Sequence, residues 1–186
     1  SPLDSVVDIL DARGAALQRG VIRCVAETFV TLSNRDSAGR GIRLDSWRDL
    51  VINDYVMLGS EIIQVEKLPG YGDEDVVFKA YPSGQRMGIF GTTPEHHSVN
   101  AKVFKVEVHP PDAAFAPNGM PLYPLLWAND DGFFNEGKAT GDSFLEFTAP
   151  ADGDYIVRVR DAMGTGSERH AYRLMLRPAE PDYDVV

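Results

Sequence analysis

The residues best suited to chemistry in this chain are three consecutive oxygen donors, Asn129-Asp130-Asp131, followed by a glycine hinge at Gly132. Calcium takes about six to eight oxygen ligands, and adjacent carboxylates on a glycine-hinged loop supply several of them. Asp142 precedes a later strand-like run, and Asp4 precedes the first one. If both strand ends meet the loop, the carboxylates of Asp4, Asp130, Asp131 and Asp142 converge, with Asn129 as a further donor. The same residues also make a solvated turn, in which Asn and Asp side chains bond their own backbone. The sequence leaves both readings open. EF-hand spacing is absent.

Other constellations are weaker. Glu95-His96-His97 is a histidine pair in a polar loop. A zinc site needs a further ligand that is not evident beside it, so a hydrogen-bonded loop is the expectation. There is no Gly-x-Ser-x-Gly elbow for a nucleophile. No two carboxylates stand out as the opposed pair of a glycosidase. The chain is therefore expected to be no enzyme. Phe133 and Phe134 lie in a loop between Gly132 and Gly137 and are candidate ligand-binding aromatics, whereas Trp127 reads as core. Cys24, the single cysteine, sits in an apolar run and reads as a buried structural thiol.

These residues must be held by strands. Glycine (17) and proline (12) divide the 186-residue chain into short β-branched and aromatic runs. The expected strands are Ser5–Leu10, Val21–Leu32, Tyr55–Leu58, Glu61–Lys67, Val76–Tyr81, Lys102–His109, Ser143–Thr148, Asp154–Arg160 and His170–Arg177. Several alternate with period two: Tyr155, Val157 and Val159 fall on one face, and Ile156, Arg158 and Arg160 on the other. Helical periodicity is nearly absent, apart from one possible turn over Asp45–Val51. The fold class is all-β. Asp11-Ala12-Arg13-Gly14 and Ala151-Asp152-Gly153-Asp154 read as turns, and the prolines between Pro110 and Pro124 read as a connector.

A net charge of −10 removes the basic stripe that nucleic acid requires, so nucleic acid is not an expected partner. No run approaches the roughly 18 apolar residues of a membrane-spanning helix. The chain opens at Ser1-Pro2-Leu3 without a methionine, already inside a folded pattern, which reads as a piece of a longer polypeptide.

Both ends of the chain carry a resemblance. Asp142–Asp161, with its Ala149-Pro150-Ala151-Asp152-Gly153-Asp154-Tyr155 centre, together with Tyr172-Arg173-Leu174, the opening Ser1–Gly14 and the Asn129–Gly132 loop, resembles the bacterial pre-peptidase C-terminal domain. The version it resembles is that of large envelope or secreted proteins of planctomycete-like bacteria. The resemblance implies a jelly-roll-like β-sandwich built from residues 1–20 and 122–186, interrupted by a β-rich, small-barrel-like insert over residues 21–121. It further implies an extracytoplasmic, non-catalytic binding or scaffolding module of a larger protein. Calcium is its one expected cofactor. Its expected partners are neighbouring domains and a glycan or envelope protein. An alternative is an accessory domain that assists substrate binding by a secreted hydrolase.

Overall fold

The computed structural model describes residues 4–32, 41–59, 61–71, 74–79, 87–88, 100–130, 134–135, 138–139, 143–162 and 164–178. They are all-β, as the period-two alternation predicts, and none is helical. Asp45–Val51 holds only a turn, closed by Leu50 N donating to Trp47 O. Strands form two principal antiparallel sheets and one two-residue hairpin, β11 (Phe134–Asn135) with β12 (Lys138–Ala139).

The larger sheet closes on itself. Its strands are β2 (Gln18–Leu32), β3 (Gly41–Leu44), β4 (Tyr55–Leu58), β5 (Glu61–Lys67), β6 (Val76–Lys79) and β8 (Lys102–His109). They run in the order β3-β6-β5-β4-β8-β2, and β2 then pairs with β3, so these six strands form a ring. Closure removes the free edges that an open sheet must protect. Two further strands attach from outside: β7 (Met87–Gly88) to β5, and β9 (Leu122–Leu126) to the first half of β2.

Strand β2 serves these neighbours by bulging. Its register against β8 shifts between Cys24 and Ala26. An extra residue exchanges the two faces of the strand beyond it. Ile22 and Cys24, before the bulge, therefore pack on the outer face with Met57, Ile62, Phe104, Val106 and Leu125. Val30, beyond it, packs in a separate core with Val56, Leu58, Ile63, Val65, Val76, Phe78 and Val103. The same strands β4, β5 and β8 thus bury both faces, one residue in each alternate pair going to each core. A bulge also frees backbone groups from the ladder, and the proline-bearing connector meets them. Asn118 Nδ2 donates to Cys24 O at 2.8 Å, and Cys24 N donates to Pro121 O at 3.3 Å. Cys24 itself is fully buried; burial first, and Glu27 second, push its thiol up to about 11, the behaviour of an inert structural cysteine.

The smaller sheet is β10-β1-β13, with β1 (Ser5–Asp11) central between β10 (Ala128–Asn129) and β13 (Tyr155–Asp161). β1 pairs with β13 along its whole length, from Ser5↔Asp161 to Asp11↔Tyr155. The opening segment and the Asp154–Arg160 run therefore share a sheet across almost the whole sequence. The two sheets meet where Ile9 N donates to Trp127 O, Trp127 N to Leu17 O, and Leu17 N to Ile9 O. The turn between β1 and β2 forms as its residues predict: Gly14 adopts φ 81°, and Asp11 Oδ1 accepts from Arg13 N and Ala15 N.

Two expected strands do not form. Ser143–Thr148 joins no ladder, yet it packs: Phe147 lies between Trp127 and Tyr155, each ring centre 5.1 Å from its own. His170–Arg177 also joins no ladder, and Tyr172, Met175 and Leu176 are exposed. Alternation specifies which face of a strand is apolar, but a strand exists only where a neighbour accepts its backbone bonds.

Candidate functional site

The pairing Val7↔Asn129 and Asp8↔Ala128 fixes where the oxygen-rich loop leaves the smaller sheet. Because β10 runs antiparallel to β1, its chain exits at the Ser5 end. That end gathers the start of β1, the end of β13 and the segment beginning at Ser143. Ser143 Oγ donates to Ser5 O at 2.6 Å, and Asp4 N donates to Asp161 Oδ1 at 3.1 Å. The structure thus places Asp4, Asn129 and Asp130 at one end of one sheet. Asp131, Asp142 and Phe133 lie outside the described residues. Phe134 is placed in β11, and its side chain is not described. Glu95, His96 and His97 also lie outside the described residues.

Asn129 and Asp130 are each 4 % exposed. Asn129 Nδ2 donates to Phe144 O at 2.9 Å, which orients the amide. Its Oδ1 and the Oδ1 of Asp130 are buried and meet no donor among the described residues. An unmet buried carboxylate oxygen is costly, about 1–3 kcal/mol or more for a charged group. A solvated turn does not account for this arrangement, because its Asx side chains would face water or their own backbone. Two adjacent, unmet, hard oxygen donors fit calcium, which is bound through carboxylate and amide oxygens. Among the described residues no three His, Cys, Asp or Glu side chains come together, and Asp131 and Asp142 are not among those.

Asp161 closes the same end. Its Oδ2 accepts from Thr165 N at 2.9 Å and Thr165 Oγ1 at 2.5 Å. These two bonds, with that from Asp4 N, hold its carboxyl below the ordinary aspartate range. Asp4 is exposed, and its backbone is engaged on both sides of Asp161: Ala162 N donates to Asp4 O at 2.7 Å. Thr165 Oγ1 in turn lies 3.3 Å from His170 Nε2, and Ser167 Oγ lies 2.8 Å from His170 Nδ1.

The sequence reading passed over Asp8. It is 4 % exposed in mid-strand, and Oδ2 accepts from Arg158 Nε at 3.1 Å and Arg160 Nε at 3.0 Å. The available signal was an acid inside an apolar run facing a strand with arginines at alternate positions. Trp127, expected in the core, is only half-buried and joins neither apolar core: Phe147 meets its edge and Arg19 lies 5.5 Å from its ring centre. A shallow depression on the ring, lined by Ala26, Thr28, Ser46 and Lys105 among others, has a cavity volume of about 20 Å³, room for one water. No family model, curated protein or solved structure matches the chain.

Proposed function

We propose that the chain is a non-catalytic binding or scaffolding module of a larger extracytoplasmic protein, with the end of its smaller sheet held together by calcium. The observation that carries the calcium reading is the pair of buried, unmet oxygens, Asn129 Oδ1 and Asp130 Oδ1, in a loop rich in further oxygen donors. Asp131 and Asp142 would complete the ligand set, with Asp4 as an outer candidate. The ion would join three separate segments: the start of β1, the end of β10 and the chain before Ser143. The module reading itself rests on the resemblance of the chain ends to the pre-peptidase C-terminal domain, together with the pairing of those ends in one sheet.

The test is thermal melting of the whole chain in millimolar calcium and in chelator. The melting temperature rises with calcium, and the rise disappears in the Asp130→Ala, Asp131→Ala double variant. A wild-type melt indifferent to calcium would overturn the calcium reading.

A further inference from the structure

We infer that Arg158 and Arg160 form a clamp for an oxyanion carried on an acidic glycan, a carboxylate or a sulfate. The inference deepens the reading of this chain as a binding module and is independent of the calcium loop. Positions 158 and 160 project from the same face of β13, and both guanidiniums reach the single Oδ2 atom of Asp8 through Nε. Two guanidiniums converging on one atom lie side by side. Asp8 is buried and needs a counter-charge, but one arginine would supply it. The second leaves the group with a surplus positive charge, in a chain of 28 acids and 18 bases.

The remaining donors are free to act. Neither arginine makes another hydrogen bond, ion pair or ring contact among the described residues. Their side chains are 49 % and 34 % exposed, against 6 % for Asp8. Anchoring at Nε leaves the Nη donors of both without a partner among the described residues. A guanidinium already fixed in place loses little freedom when it binds, and its planar fork matches a carboxylate or sulfate. Exposed Ile156 continues the same face, so the surface is open and shallow, suited to a chain laid across it. Two arginines in a chain of net charge −10 make no basic stripe of the kind nucleic acid requires, which favours a glycan held at a single acidic group.

The experiment is calorimetric titration of the full chain with a polyuronate oligosaccharide, a sulfated oligosaccharide, a neutral oligosaccharide of equal length, a polyglutamate peptide and inorganic sulfate. Either acidic oligosaccharide is expected to bind, and the neutral one is not. Arg158→Gln and Arg160→Gln should each weaken binding about tenfold, the loss of one charged hydrogen-bonding partner. Each variant keeps one arginine on Asp8 and so should melt as a folded protein; Arg158→Lys, retaining charge without the fork, should fall between. No binding of either acidic oligosaccharide, or binding unchanged in both glutamine variants, would overturn the clamp. Inorganic sulfate or polyglutamate binding as tightly as the oligosaccharides would overturn the glycan assignment. The calcium melt of the same preparation reads the loop separately, so the two ideas fail independently.

Discussion

The six-strand ring leaves Val30, Val56, Leu58, Ile63, Val65 and Val76 with no exposure at all, whereas the β10-β1-β13 sheet buries Asp8, Asn129, Asp130 and Asp161. The ring is mostly apolar inside and buries one carboxylate, Glu61, whereas the smaller sheet buries Val6, Ile9, Leu10 and Ala128 and adds these four polar side chains from segments far apart in sequence. Apolar burial is indifferent to mild pH and to divalent ions, while buried carboxylates respond to both. The two regions should therefore separate under conditions that leave the covalent chain unchanged.

The largest effect belongs to the ring. Phe78 is 2 % exposed in the interior core, and Phe78→Ala should cost about 3–5 kcal/mol by urea denaturation, with the same loss in calcium and in chelator. A calcium-dependent loss would break the comparison. The next effect belongs to the smaller sheet: calcium at a hundredfold excess over its dissociation constant should add about 2.7 kcal/mol to the wild-type chain. Asn118→Ala removes the bond to the Cys24 carbonyl at the bulge and should cost about 1 kcal/mol, again without dependence on calcium.

The smallest effect at neutral pH is that of Thr165. Its bonds hold the Asp161 carboxyl below the ordinary range, so they contribute stability present above the unfolded pKa of about 4. That stability is lost as the pH falls through the lower, folded value. In Thr165→Val the Asp161 midpoint should move up towards the ordinary aspartate range, and this acid-sensitive part of the stability should shrink. Carboxyl titration by NMR checks this: an Asp161 midpoint unmoved by the substitution would remove Thr165 as the cause.

The ring strands Tyr55–Leu58, Glu61–Lys67 and Lys102–His109 were legible to the residue, because apolar alternation coincides there with turn signals such as Gly59. Closure of the ring was not legible. It depends on the bulge after Cys24, and a bulge leaves no periodic mark because the apolar run continues through it. Along β8, Val103 packs in the first core and Phe104 and Val106 in the second, as period-two alternation dictates. Tyr55 is only half-buried against that second core. Residue type singles out Asn129 and Asp130, but their place at the Ser5 end rests on the short pairing of β10 with β1, which no sequence period marks. Asp8 was missed because a lone acid inside an apolar strand carries no signal until its cross-strand neighbours are known.

The most direct test of the contrast between the two regions is amide hydrogen exchange on the intact chain, with calcium and with chelator at neutral pH. Protection at Val6–Leu10, Asn129 and Ile156–Arg160 should rise with calcium, while protection at Val56–Leu58, Ile62–Val65 and Val103–Val106 stays the same. Equal gains across both sheets, or no change at Asn129 and Val6–Leu10, would contradict the account.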